Sequence, residues 1–241
     1  MDYVVNGIVL KVQSYKDKDV LINLFTAELG KITAVLKGVR GANAKLKYAS
    51  QLFCFGEWQL AEKGGKYTVT SCSAENSFFE LTADYDKYSL GCAMLQMCDI
   101  VLKPNIISAE LLVCLLKSLK TLTYDDYSER LVFLKFALSF ASIVGYGFNW
   151  GVCGNCGSKL IGQIDYSIAN KTFTCVSCAG FGATNVSNVV YTNLKIIDQT
   201  SLEKLNTISI KPNVINDCLF FVKLHIENVL GVKLSTLDLW A

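Results

Sequence analysis

Four of the ten cysteines fall into two pairs, Cys153-Gly154-Asn155-Cys156 and Cys175-Val176-Ser177-Cys178, with eighteen residues between the pairs. Two thiols three positions apart can turn toward one cation. A second such pair completes a tetrahedron at about 2.3 Å from metal to sulfur, and this spacing is that of a four-cysteine zinc site. Glycines beside the cysteines give the chain room to turn. Four thiolates leave no open position for water, so the zinc expected at Cys153, Cys156, Cys175 and Cys178 is structural. An iron–sulfur cluster, a dithiol redox pair or four unrelated core cysteines would share the spacing. The redox reading needs a helix start to lower a thiol pKa, which Gly154-Asn155 ahead of Gly157-Ser158 supplies poorly. The other cysteines, Cys54, Cys72, Cys92, Cys98, Cys114 and Cys218, stand singly among apolar neighbours and read as small core residues.

Phosphate chemistry is the second possibility. Between Lys31 and Gly56 lie five basic residues, Lys31, Lys37, Arg40, Lys45 and Lys47, and no Asp or Glu. If Lys31 to Lys37 is a strand, Lys31, Thr33, Val35 and Lys37 share a face, and the other three cations follow in a loop. Cations gathered in this way neutralise successive phosphates without reading sequence, although a solvated barrel face would carry the same residues. Phe53 and Phe55, two apart, read as a stacking platform for unpaired bases or as core; Trp58, on the opposite face with Leu52 and Cys54, reads as core.

Catalytic signatures are absent from the sequence. Gly30-Lys31-Ile32-Thr33 ends like a phosphate-binding loop but lacks the upstream glycine. The lone histidine, His225, lies in a helical stretch among Phe221, Leu224 and Ile226, where a structural role is expected rather than general-base work. No nucleophile and base pair up, so the chain is not expected to be an enzyme.

The elements that must position these residues follow from composition and period. With 51% apolar residues, 18% charged and only two prolines, the chain has the makings of a compact core and little for a disordered tail. Its net charge of +2 favours no partner class by itself. The start, Met1 to Asn6, has no basic flank, which predicts a cytoplasmic protein. Leu131 to Phe148 is interrupted by Lys135 and reads as a buried helix, with no membrane span expected.

Tyr3 to Val12, Val20 to Phe25, Lys31 to Lys37, Leu52 to Glu62 and Lys66 to Ser73 are strand-like, separated by Leu29-Gly30, by Gly38 and Gly41, and by the hairpin signal Gly64-Gly65. Five such strands fit an OB barrel, a sandwich or an SH3-like barrel alike. From Asp84 the apolar period becomes helical, with Pro104 ending the first helix. A third helix is expected from about Asp125 to Val144 and a last one from about Val214 to Leu230. The organisation expected is α+β: residues 1–80 as a β domain and 81–241 as a helical domain with a metal insertion at about 150–182.

The order of Gly7-Ile8-Val9-Leu10-Lys11, Leu24-Phe25-Thr26-Ala27-Glu28-Leu29-Gly30-Lys31-Ile32, Lys37-Gly38-Val39-Arg40, Gly145-Tyr146-Gly147-Phe148 and Leu224-His225-Ile226-Glu227-Asn228-Val229-Leu230-Gly231 resembles the RecO family over nearly the full length. The resemblance implies an N-terminal five-stranded OB-fold β-barrel followed by an α-helical domain carrying a four-cysteine zinc module. It implies a bacterial, cytoplasmic, nucleoid-associated mediator of DNA repair and homologous recombination, acting in the RecFOR pathway without turnover. Such a mediator binds single- and double-stranded DNA, anneals complementary strands and helps load recombinase onto DNA coated by single-strand-binding protein (SSB). Its implied partners are RecR and the acidic C-terminal tail of SSB. The family's basic barrel surface falls on Lys31, Lys37 and Arg40, with Lys45 and Lys47 following. The chain departs from the family at Lys16-Asp17-Lys18-Asp19 and at Ala44. The rival reading is a zinc-ribbon protein–protein adaptor that does not touch DNA. A nucleic-acid-modifying enzyme is a weaker rival, for want of catalytic groups.

Overall fold

The computed structural model describes residues 1–41 and 44–238 and forms two compact units, Met1–Thr123 and the chain from Tyr124 onward. Five strands open the first unit: β1 (Asp2–Tyr15), β2 (Asp19–Thr26), β3 (Gly30–Leu36), β4 (Phe55–Lys63) and β5 (Lys66–Asn76). They close in the order β1-β2-β3-β5-β4, with β4 pairing back onto β1, which is the OB topology. Alternation drives the closure: Ile32, Ala34 and Leu36 of β3 and Trp58 and Leu60 of β4 point inward and are buried, while Thr33, Glu57 and Gln59 face out. Trp58 fills the interior, its indole N–H donating 2.9 Å to the Gly7 carbonyl.

The hairpin between β4 and β5 turns on Gly64 and Gly65, at φ +60° and +75°, between the paired Lys63 and Lys66. A two-residue turn of this hand needs positive φ at both positions, which side chains resist. The β3–β5 seam is short, joining only Ala34 to Tyr67 and Val35 to Thr68. Below it, Pro104 bridges Lys31 in parallel and the Asn105 N–H donates 3.0 Å to the Lys31 carbonyl.

Helices α1 (Tyr85–Val101) and α2 (Ala109–Tyr124) follow. Asp84 caps α1 by accepting from the N–H groups of Asp86 and Lys87 at 2.9 and 3.0 Å, so the change from strand to helix falls where the period changes. The compact unit itself extends past that point to Thr123.

The second unit contains α3 (Glu129–Ile143), a small sheet of β6 (Ile164–Ser167), β7 (Thr172–Cys175) and β8 (Thr184–Val186) in the order β7-β6-β8, then α4 (Asn188–Gln199) and α5 (Pro212–Leu230). Helix α3 begins at Glu129 rather than near Asp125, because Ser128 has non-helical backbone, at φ −59° and ψ 119°, and leaves Asp125 and Asp126 ahead of the first turn. Helix α4 was not expected from the sequence. Its signals are Ser187, whose hydroxyl accepts from the Val190 N–H at 3.2 Å, and the buried Val190, Leu194 and Ile197 at helical spacing. No helix among the described residues is long and apolar enough to cross a membrane.

An aromatic core joins the small sheet to α4 and α5 within this unit: Phe173 lies parallel to Phe221 at 5.4 Å and edge-on to Tyr191 at 4.9 Å. His225 belongs to it. Its Nε2 donates to the Tyr146 carbonyl at 3.1 Å, and in the neutral ring this leaves Nδ1 to accept from the Tyr166 hydroxyl at 2.7 Å, so both ring nitrogens are occupied. Burial pushes its pKa down to about 4, with the Lys171 cation adding to the shift and the Tyr146 carbonyl opposing it. The structural role expected for His225 is the one found.

Candidate metal centre and candidate nucleic-acid interface

The β6–β7 hairpin sets up the cysteine cluster. Cys175 ends β7, paired with Ile164, and a single 3-10 turn (Val176–Cys178) brings Cys178 round beside it. The other pair docks on the outer edge of β7, where the Gly154 N–H donates 2.9 Å to the Phe173 carbonyl. Glycine is required at that contact, since a Cβ at residue 154 would come within 2.4 Å of the Thr172 side chain. Each knuckle is closed by the same bond, from the Gly157 N–H to the Cys153 carbonyl at 2.9 Å and from the Ala179 N–H to the Cys175 carbonyl at 3.0 Å.

All four sulfurs lie within 4.8 Å of one another, and those of Cys156 and Cys175 are 3.9 Å apart. A tetrahedral ion with metal–sulfur bonds of about 2.3 Å sets its thiolates about 3.8 Å apart, so the cluster has the size of a cage for one ion. A cluster of several irons, which stands between its thiolates, needs a wider one. Burial acts to raise the Cys153 thiol, but N–H groups of Cys156, Cys175 and Asn155 directed at its sulfur outweigh that and bring it to about 6. Ser158, through its hydroxyl and its N–H, holds Cys156 down, while hydrogen bonding to Cys156 and Cys175 pushes Cys178 up to about 12. Neighbouring thiols oppose one another's ionisation, and a shared cation relieves that opposition. None of the six scattered cysteines forms a disulfide; Cys54, Cys98 and Cys218 are buried and Cys72, Cys92 and Cys114 half-buried.

The basic residues separate into two kinds. Lys37, Arg40, Lys45 and Lys47 are exposed along the segment that leaves β3. Lys31 is not: its ammonium donates to the Asp99 carbonyl of α1 and stands 3.5 Å from the Asp99 carboxylate, both side chains being only 16% exposed. Asn23 donates to the same carboxylate at 2.8 Å and accepts from Thr33 at 3.0 Å. This network clamps α1 onto β2 and β3, and Lys31 already has its counter-ion.

The structure adds two cations that the sequence reading set aside. The Arg40 N–H donates 3.1 Å to the Lys18 carbonyl and the Gly38 N–H donates 2.8 Å to Asp19, so the β1–β2 turn carrying exposed Lys16 and Lys18 adjoins the basic loop. The interleaved Asp17 and Asp19 hid this in the sequence; Asp19 faces the loop backbone, not its cations. Phe53 departs from its expected place as well. It precedes β4, holds left-handed backbone at φ +68° and is 2% exposed, so it does not share a strand face with Phe55.

Comparison with known proteins covers both units. The family described as Recombination protein O N terminal matches residues 1–78, and that described as Recombination protein O C terminal matches residues 82–238. Similar proteins include the DNA repair protein RecO of Clostridium novyi (strain NT), 28% identical over 235 residues covering 97% of this chain and 91% of that one. The DNA repair protein RecO of Acetivibrio thermocellus is 27% identical over 214 residues, 88% of this chain and 85% of that one. That of Clostridium perfringens (strain 13 / Type A) is 24% identical over 233 residues, 97% and 95%. With an OB barrel, a helical unit and a four-cysteine cluster in the order of the matched families, the chain belongs to the RecO family.

Proposed function

We propose that this protein is a DNA repair and recombination mediator that binds single- and double-stranded DNA through one end of its barrel and anneals complementary strands without bond chemistry. The observation that carries this reading is the gathering of Lys16, Lys18, Lys37 and Arg40 where the β1–β2 turn hydrogen-bonds to the loop after β3, with Lys45 and Lys47 following. Cations gathered on one rim bind phosphates of any sequence and release counterions, which suits a protein that must act on arbitrary DNA. Lys31, held by Asp99, contributes through the fold rather than by contact. The relatives' name, DNA repair protein RecO, supports the same assignment.

Recruitment belongs to the family reading: RecR and the acidic C-terminal tail of SSB are the proposed partners, the tail docking on the helical unit so that recombinase can be loaded on SSB-coated DNA. The metal proposed for Cys153, Cys156, Cys175 and Cys178 is zinc, which closes its tetrahedron with thiolates and braces the β6–β7 hairpin against the first knuckle.

Strand annealing on SSB-coated oligonucleotides, without any nucleotide cofactor, tests the proposal. Charge reversal of Lys37 and Arg40 to Glu should weaken binding to short single strands and lower the salt slope by about one per phosphate contact removed. If the reversed protein anneals like its parent, the rim is misassigned. A folded, metal-loaded protein inert toward DNA at low salt would favour the adaptor reading, and chemically altered DNA the enzyme reading.

A further inference from the structure

The segment carrying Lys45 and Lys47 runs through a short 3-10 turn (Tyr48–Ser50) into Gln51, Leu52 and Phe53, and there forms one wall of a cavity of about 220 Å³. The other wall comes from Phe78, Phe79 and Thr82 of the link between β5 and α1, and from Tyr88 of α1. Phe53 and Phe78 are 2% and 3% exposed, Tyr88 meets Phe53 edge-on at 5.7 Å, and Phe79 is 64% exposed. At this volume the cavity is smaller than the roughly 300–1,000 Å³ of sites for drug-sized ligands, and its walls suit one planar ring system.

Backbone geometry sets this cavity apart. Phe53 and Phe78 both hold left-handed conformations, at φ +68° and +46°, which bulky residues avoid. The Asn76 side chain accepts from the Phe78 N–H at 2.7 Å and the Val9 carbonyl accepts from the Phe53 N–H at 3.3 Å, so both conformations are fixed by neighbours. Two strained aromatic residues lining the same small cavity are a costly way to build a core. Both side chains, with the exposed Phe79, line one space.

Resting on the DNA-binding reading above, we propose that this cavity receives one unpaired nucleobase of a single strand, stacked on Phe79 over the Phe53–Tyr88 pair, while Lys45 and Lys47 hold neighbouring phosphates. At about 2.0 Å rise per residue, the 3-10 turn separates Lys47 from Gln51 by about 8 Å, within one or two nucleotides. The chain from β5 to α1 also carries exposed Glu80 and Asp84, which disfavour phosphates on that side and leave the lysine side for the strand. Gln51 and Ser77 supply polar groups for a base edge without selecting one base. Duplex DNA cannot use the cavity, because its bases are already stacked and paired.

The test uses the full metal-loaded chain and fluorescence anisotropy with an oligodeoxythymidine and with a duplex of equal length. Phe79→Ala, at an exposed position, should weaken single-strand binding by roughly 5- to 100-fold, the range for loss of one base–aromatic stack, and leave duplex binding within about twofold. A single 5-iodouracil in the oligonucleotide should photocross-link to Phe53, Phe79 or Tyr88. Unchanged single-strand affinity in Phe79→Ala, equal losses for both DNA forms, or cross-links confined to other residues would overturn the pocket while the basic rim stands. A parent protein that binds neither DNA form would overturn the DNA-binding reading instead.

Discussion

Acidification should destabilise the second unit through its one histidine. His225 is the single histidine of the chain and its pKa lies at about 4, against about 6.5 for an exposed imidazole. A pKa lowered on folding means that the unfolded chain takes up a proton first as pH falls. The stability contributed by neutral His225 is therefore complete above about pH 6.5 and is lost progressively as pH drops toward 4. Two and a half pH units at about 1.36 kcal/mol each give a total of about 3 kcal/mol, of which about 1 kcal/mol disappears between pH 7 and 5.5. Amide exchange of β6 and α5 residues across that range reads the loss where His225 sits. Because there is one imidazole, NMR can follow it without assignment: at pH 5.5 it should be roughly 3% protonated, where a free histidine would be about 90% protonated. An imidazole that titrates near 6.5 in the folded protein would refute the reasoning, and with it the hydrogen-bonded pairing to Tyr166 and Tyr146.

Other perturbations separate scaffold from surface. Lys31→Met should lower the stability of the first unit by about 1–3 kcal/mol, because it leaves Asp99 half-buried without its cation, yet it should leave the salt slope of DNA binding unchanged. A flattened slope would return Lys31 to the phosphate-binding set. Gly154→Ala should reduce bound metal per chain, measured by elemental analysis, because the added methyl collides with Thr172 and lifts the first knuckle off β7. Stripping metal with a chelator should expose the amides of β7 to exchange while those of β3 and β4 stay protected, since the barrel has its own core. Zinc is the metal expected in the intact protein, and iron in its place would correct the assignment.

What could be read from residues alone was whatever repeats at short range. Alternation in β3 and β4, the Gly64-Gly65 turn, the helical period from Asp84 and the cysteine spacing each act within a few residues, and each reappears in the fold. What stayed hidden depends on partners far along the chain. Lys31 belonged to the basic run until Asp99, sixty-eight residues on, claimed it. Lys16 and Lys18 were masked by the alternating Asp17 and Asp19, and the hydrogen bonds from Arg40 to Lys18 and from Gly38 to Asp19 join their turn to the loop. Phe53 kept to a strand rhythm that its backbone breaks, because Val9 and α1 fix it in a conformation that no local preference predicts. Helix α4 was missed for a different reason. Its cap and period are visible in Ser187 and in Val190, Leu194 and Ile197, but the segment lies between the metal module and the last helix and was assigned no element.

The thin join between β3 and β5 bears on how this protein can be cut. Because Pro104 and Asn105 lie along the start of β3, a fragment ending near residue 80 would bare the edge of that strand beneath Ala34. Bare strand edges recruit other chains, so such a fragment should self-associate, whereas one carried through Thr123 should stay monodisperse.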